Sequence, residues 1–313
     1  MLLKSEFNLL EVSDSNDGLQ TCILTERLKK KNFIKFKPTN KLASDNTVEF
    51  FKLYNIQSNF TNRFVKIDNL GKGGYSEVSL VQDFKTDKLY AAKKITFVGR
   101  ENKPLYPVQV SIEIKAMRDL KSDNVPKIYE IFQNGKEINI IMEYIKGCTL
   151  RMFIKHIKVN KKIALCILWS LTQIIYKMHL KGLCHRDIKP LNIIIKDFDP
   201  EKAVRFDLKD ITSKHRLYLI DYGLTMSPKY EKYNDLKLKI CGTSGYMPPE
   251  LLSSKNNQEK LSFDETKYDI FSIGIIIYEM ISGRNPFIAA TSRETLLSNR
   301  KGYISFSKKK LKS

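Results

Sequence analysis

The sequence predicts an α+β chain of two units, a small antiparallel β unit followed by a mainly helical one. Two observations carry this. Between residues 64 and 144, short apolar-rich runs are separated by Gly- and Asn-containing turns, the pattern of hairpins. Further on, apolar residues gather in two longer stretches, Ile163 to Leu180 and Ile270 to Ile281. The first is broken by Ser170, Gln173 and Lys177 and the second is too short to span a bilayer, so both read as buried helices of a soluble protein. Strand runs followed by helix runs indicate segregated layers. With 313 residues, 42% of them hydrophobic, the chain has material for two cores.

The first sixty residues are the least informative. Met1 to Leu10 carries Lys4 and Glu6 and so lacks the uncharged core of a signal peptide. Thr21 to Lys37 alternates enough for strands, Val48 to Ile56 suggests a short helix, and Ser13 to Gly18 suits a docking arm or disorder. Cys22, Cys148, Cys166, Cys184 and Cys241 form no C-x-x-C pair, which points to a reducing compartment, cytoplasmic or nuclear.

Phe64 to Leu70 and Glu77 to Phe84 read as strands joined by Gly71-Lys72-Gly73-Gly74-Tyr75-Ser76. Glycines let a backbone approach phosphate oxygens and take dihedrals that side chains forbid, so this hairpin reads as a phosphate loop. A dinucleotide-binding loop would lead into a helix, whereas here Val78, Leu80 and Val81 continue a strand; a Walker loop would end in Gly-Lys-Ser/Thr, which Tyr75-Ser76 is not. Leu89 to Lys93 reads as a third strand, with Lys93 and Lys94 on opposite faces. Val108 to Leu120 reads as a helix with Ile112, Met117 and Leu120 on its apolar face and Glu113 as its acidic candidate. Gln133 to Tyr144 reads as a hairpin turning at Asn134-Gly135.

His185-Arg186-Asp187-Ile188-Lys189-Pro190-Leu191-Asn192 sets an acidic base, a cationic neighbour and an amide metal ligand on one short loop. Downstream stand Asp221-Tyr222-Gly223 after an apolar strand, then Cys241-Gly242-Thr243-Ser244-Gly245-Tyr246-Met247-Pro248-Pro249-Glu250, then Tyr268-Asp269-Ile270-Phe271-Ser272-Ile273-Gly274, and Arg284-Asn285-Pro286-Phe287. In kind and order these resemble the catalytic loop, the metal-binding Asp-Phe-Gly, the end of the activation segment and the long buried helix of eukaryotic-type serine/threonine protein kinases. The resemblance covers roughly Phe64 to Ser307. It implies a bilobal fold: residues 1–60 form an N-terminal extension of unknown role, 61–144 a small β lobe with one long helix, and 145–313 a large helical lobe lacking its last helices. Several features are similar to calcium/calmodulin-dependent-type kinases of the ciliate kind; the spindle-checkpoint group shares Tyr-Met-Pro-Pro-Glu and the Gly-Lys-Gly-Gly loop.

The resemblance also implies roles. Asp187 receives the substrate hydroxyl proton, and Lys189 neutralises charge on the transferring phosphoryl group. Lys189 with Thr243 marks serine/threonine specificity. Lys93 grips the α and β phosphates of ATP, oriented by Glu113. Asn192 and Asp221 hold magnesium, a hard ion suited to carboxylate and amide oxygens. ATP is expected at Gly71, Gly73 and Gly74 and among Leu70, Val78, Ala91 and Ile194. Met142 would lie behind the base, and the backbone near Glu143 and Ile145, which resembles the interlobe hinge, would meet adenine. Asp269 is expected to cap the catalytic-loop backbone. Glu279 matches a carboxylate that binds substrate arginine, so serine- or threonine-bearing protein substrates of basic character are expected. Glu250, without the arginine of a full kinase, is expected to be a buried carboxylate that lowers stability. Lys196 to Arg216 lengthens the usual spacing between Asp187 and Asp221 and is expected to form a surface loop or hairpin. Lys239 stands where many kinases carry an activating phosphate, leaving Ser227, Tyr230 and Tyr233 as acceptors.

Lys plus Arg outnumber Asp plus Glu by 54 to 34, a net charge of +20. The lysines are spread along the chain, with runs only at Lys29-Lys30-Lys31 and Lys308-Lys309-Lys310 and no interleaved aromatics, so there is no strong case for nucleic acid or membrane as a partner. Two rival readings stay open, a pseudokinase scaffold and a basic adaptor. Nothing in the sequence sets the oligomeric state.

Overall fold

In the computed structural model, the described residues are 7–14, 20–26, 33–36, 56–57, 60–73, 76–96, 107–120, 122, 124–134, 137–199, 216–227, 241–253 and 265–306. The chain divides into two units, one of residues 1–111 with 127–144, the other of residues 112–126 with 145–313.

In the first unit, β1 (Phe7–Asp14), β2 (Gln20–Glu26) and β3 (Phe33–Phe36) make an antiparallel sheet in that order. The last two are the strands expected within Thr21 to Lys37. The helix expected over Val48 to Ile56 falls outside the described residues except for Ile56, which opens β4 (Ile56–Gln57).

A second sheet contains β5 (Phe64–Lys72), β6 (Ser76–Asp83), β7 (Leu89–Thr96), β8 (Ile128–Asn134) and β9 (Glu137–Glu143). Its order is β4-β8-β9-β7-β6-β5, antiparallel throughout except for the parallel pair of β4 with β8. Alternation along the strands sorts the side chains to two faces. Val81, Ala92, Phe132 and Ile141 share a core with Phe64, covered by Phe60 and Tyr90. Phe64 stacks on Phe60 at 5.6 Å and meets Phe132 edge-on at 5.6 Å.

The second unit is mostly helical. The helix α1 (Pro107–Leu120) crosses the division between the units at residues 111 and 112, burying Ile112, Ile114, Ala116, Met117 and Leu120. A small sheet of β10 (Gly147–Thr149), β11 (Ile193–Lys196) and β12 (Leu217–Leu219) takes up the chain directly after Asn192, while before His185 an isolated bridge joins Cys184 to Met226. The remaining helices are α2 (Leu150–His156), α3 (Lys161–Leu180), α4 (Pro249–Ser253), α5 (Glu265–Ser282) and α6 (Ser292–Lys301).

Their ends follow capping chemistry. Thr149 accepts from the Met152 N–H, Asn160 accepts from the Ile163 N–H, and Thr291 with Glu294 closes a capping box. Gly302 ends α6 in the left-handed conformation at φ 66°. α3 packs on α5 and β12 and buries Ile163, Ile167, Leu171, Ile174 and Met178.

Two expectations change here, those for α3 and for Glu250. Among the described residues α3 is the one helix long and apolar enough to cross a membrane, and its sequence suggested a buried helix. Only one face is buried; Leu165, Trp169, Tyr176 and Leu180 project outward, because apolar content reads the same whether it lies inside or outside. Of the surface loop or hairpin expected over Lys196 to Arg216 only the two ends are described: Asp197 and Asp199 are exposed, the Asp197 N–H donates to the Lys146 carbonyl at 2.8 Å, and Phe198 is buried edge-on against Phe153 at 5.4 Å. Residues 200–215 lie outside the described residues. Glu250, expected buried, is exposed in the first turn of α4, so the stability penalty assigned to it does not apply.

Candidate active site

The sheet register assembles one group. Val78 lies opposite Lys93, Ala91 opposite Met142 and Lys93 opposite Ile140, so Val78, Ala91, Lys93 and Met142 share the face turned away from the aromatic core. Lys93 is buried, with 5% exposure. Its neighbour Lys94 faces the other way and pairs with Glu137 at 2.7 Å. Leu70 is exposed beside Gly71, at an irregularity where two residues of β5 oppose one of β6. The Gly73 N–H donates to the Ser76 carbonyl at 2.7 Å and closes the turn. Gly74 lies outside the described residues. Glu143 is half-buried and donates its N–H to the Lys127 carbonyl at 2.8 Å.

In the second unit Ile145 is buried and Ile194 half-buried. Glu113 is buried at 3% exposure, so the ordinary reading of a helical glutamate on a solvated face does not hold.

The catalytic loop is built on buried hydrogen bonds. Asp269, fully buried on α5, accepts from the His185 N–H and the Arg186 N–H, each at 2.9 Å, and from His179 Nε2 at 2.9 Å. This is the cap that the sequence anticipated, with His179 as an unforeseen third partner. Arg186 takes φ 64°, a conformation uncommon for a side chain, and its Nε donates to the Leu224 carbonyl at 2.8 Å. His185 receives the Asp187 N–H at Nδ1 (3.3 Å) and places Nε2 3.2 Å from the Ile220 carbonyl. That pattern suits a neutral ring carrying its proton on Nε2. Complete burial lowers the His185 pKa, and the nearby Asp269, Asp187 and Asp221 only partly oppose it.

Asp187 is the hub of the site. Its Oδ1 accepts from the Thr243 hydroxyl at 2.6 Å, and its Oδ2 accepts from Lys189 Nζ at 2.7 Å and Asn192 Nδ2 at 3.1 Å. Lys189 also donates to Thr243 Oγ1 at 2.7 Å, and Asn192 Nδ2 donates to the Asp187 carbonyl at 2.9 Å. Three residues of one motif and Thr243 of another are thus in direct contact. The Ile220 N–H donates to the Asn192 carbonyl at 2.9 Å, and Asp221 follows at φ 62° with its side chain exposed. Tyr222 is buried against the His185 ring at 5.1 Å, and burial raises its pKa.

Gly242 must be glycine. At φ 115°, an added Cβ would lie 2.1 Å from the Tyr268 hydroxyl and 2.8 Å from the Arg186 carbonyl. Its absence lets the segment bearing Thr243 lie on the catalytic loop, where Tyr268 donates to the Cys241 carbonyl. Beyond it, Ser272 donates to the Tyr246 carbonyl at 2.8 Å, and Asn285 donates to the Gly245 carbonyl at 3.2 Å. Asn299 accepts from the Gly245 N–H at 2.9 Å and donates to the Met247 carbonyl at 2.8 Å. Neither Asn285 nor Asn299 had a role of its own in the sequence reading; an Asn carries no local signal of a distant backbone partner.

Glu279 does not present a free carboxylate for a substrate arginine. It is buried, accepts from the Tyr246 hydroxyl at 2.6 Å and pairs with Arg151. Ser227, named as an acceptor of phosphate, is buried at 1% exposure, so its modification would require local opening. Tyr230, Tyr233 and Lys239 lie outside the described residues.

The protein kinase domain family matches residues 64–312. The chain belongs to the protein kinase family. It is 30% identical over 242 residues to serine/threonine-protein kinase cds1 of Schizosaccharomyces pombe, covering 75% of this chain and 48% of that protein. It is 28% identical over 223 residues to CBL-interacting protein kinase 26 of Oryza sativa subsp. japonica, covering 70% and 40% of the two chains. With CBL-interacting serine/threonine-protein kinase 2 of Arabidopsis thaliana it shares 27% identity over 238 residues, 74% of this kinase and 46% of the relative. The chain spans less than half the length of these three relatives. Family membership accounts for the small β unit, the helical unit and the order of motifs in this kinase.

Proposed function

We propose that this kinase transfers the γ-phosphoryl group of ATP to serine or threonine hydroxyls of proteins, with Asp187 accepting the hydroxyl proton. The observation that carries the reading is the direct contact of Asp187 with Lys189, Thr243 and Asn192. A base must be positioned before its pKa matters. Two donors on Oδ2 and one on Oδ1 fix the plane of the carboxylate while leaving acceptor lone pairs for an incoming hydroxyl. Lys189 sets a positive charge beside the point where the nucleophile loses its proton. Lys93 is assigned to the nucleotide phosphates and Glu113 to orienting it.

The donor set suits magnesium. Asn192 directs its amide nitrogen at Asp187, which turns its amide oxygen away, and Asp221 adds a carboxylate; both are hard oxygen ligands. When bound, the ion neutralises charge on the phosphates. The scattered cysteines favour a cytoplasmic or nuclear setting.

The test is labelled phosphate transfer from ATP to a generic basic protein, comparing the wild type with Asp187→Asn and Lys93→Met. Each substitution is expected to reduce the rate by about 100-fold or more. Undiminished transfer in both variants would refute the catalytic assignment, and ATP binding without transfer by the wild type would favour the scaffold reading.

A further inference from the structure

The outer face of α3 has no role in the site described above, and its chemistry is unusual for a protein surface. Leu165, Trp169, Tyr176 and Leu180 are 53%, 68%, 58% and 69% exposed. Spacings of four, seven and four residues put them on one line along the helix, opposite the buried Ile163, Ile167, Leu171, Ile174 and Met178. The helix therefore carries two apolar faces, of which the fold covers one.

The charged side chains that α3 itself carries all have one sign. α3 contains no Asp or Glu. Lys161 flanks the stripe on one side and Lys177 on the other, Lys162 extends one end, and Lys158 lies just before the helix; all are exposed. Among the described residues none of these four lysines takes part in an ion pair.

We propose that this face docks the kinase on an anionic lipid surface, with α3 lying in the plane of the interface. Leucines and aromatic rings at one level suit the boundary between headgroups and acyl chains, where Trp and Tyr are enriched. Lysines beside the stripe reach anionic headgroups while their stems stay along the apolar surface. Because the other face of α3 is core, the helix lies on the membrane and does not cross it. A protein partner is the weaker fit, since protein interfaces are depleted in lysine at their centres. A nucleic-acid strand would use the aromatic rings but leave Leu165 and Leu180 uncovered.

Trp169 is the single tryptophan of the chain and reports on its own docking. The full chain is mixed with vesicles of phosphatidylcholine alone or with about one-third phosphatidylserine, and both co-sedimentation and Trp emission are followed. The expected result is sedimentation with the anionic vesicles only, together with a blue shift. Leu165→Glu/Tyr176→Glu, which keeps Trp169 and the phosphate-transfer residues, should lose at least about tenfold in vesicle affinity while retaining phosphate transfer. Lys162→Gln and Lys177→Gln should each weaken binding about fivefold, the effect of one basic residue near the surface, and they serve if the glutamate pair fails to fold. An unshifted Trp emission, or vesicle binding unchanged in the glutamate and lysine variants, overturns the proposal. So does a stripe that is protected by an oligonucleotide or a protein helix but not by vesicles.

Discussion

His185 shows how one buried residue joins stability to the catalytic loop. Its ring sits between the Asp187 N–H and the Ile220 carbonyl, and burial holds its pKa below the ordinary value. In the unfolded chain it would take up a proton near its ordinary pKa of about 6.5. As pH falls through that value the unfolded state gains protons that the folded state refuses, so stability decreases; above it the term vanishes. Thermal melts between about pH 7.5 and 5.5 should therefore show a falling Tm for the wild type and a flatter dependence for His185→Asn, whatever its absolute stability. Equal slopes would mean that His185 is not the group responsible. At this scale the sequence was most legible where a motif fixes several residues at once. Asp187, Lys189 and Asn192 were read from one stretch and Thr243 from another more than fifty residues away, and the fold brings them within hydrogen-bond distance. It was least legible where one residue finds a remote partner: Arg151 and Tyr246 close on Glu279 from far along the chain, and nothing local announces it.

Among the elements, Arg63 ties three strands of the first unit together. Its guanidinium donates to Asp83 Oδ2 at 3.1 and 3.0 Å from Nε and Nη2 and to Glu130 at 2.6 Å, joining the start of β5 to the end of β6 and to β8. Burial alone would push the Asp83 carboxyl up; the Lys85 N–H and the Arg63 guanidinium outweigh it and hold the pKa below its ordinary value. Removing Arg63 leaves a fully buried carboxylate without its cation, which costs about 3 kcal/mol, the low end of the range because Arg63 itself is partly exposed. Arg63→Ala should lower the denaturant midpoint accordingly, and Arg63→Ala with Asp83→Asn should recover part of the loss; a purely additive double variant would deny the coupling. The strands of this sheet were legible because turns bound their apolar-rich runs, as at β6 and β7. The exposed face of α3 was not. Periodicity locates a helix by its apolar residues, and a helix with apolar residues on both faces gives no indication of which face the core will choose.

For the molecule as a whole, a net charge of +20 makes self-repulsion a global term that no single contact reveals. Attraction and repulsion differ in where they reside. Several of the attractive pairs are sheltered: Asp83, Asp269 and Glu279 have side chains at 0%, 0% and 2% exposure. The excess lysines, such as Lys158, Lys161, Lys162 and Lys177, stand in solvent. Salt screens exposed charges over a Debye length that falls from about 30 Å at 0.01 M to about 8 Å at 0.15 M, and it touches buried pairs much less. Added sodium chloride should therefore relieve repulsion more than it weakens attraction, and Tm should rise across that range. Chloride is the proper anion for the measurement, since sulfate or phosphate would add preferential exclusion. A sugar osmolyte at matched osmolality separates screening from the effect of added solute. A Tm that stays flat or falls with sodium chloride would show that surface pairs such as Lys66 with Glu77 outweigh the net charge, and the repulsion argument would fail.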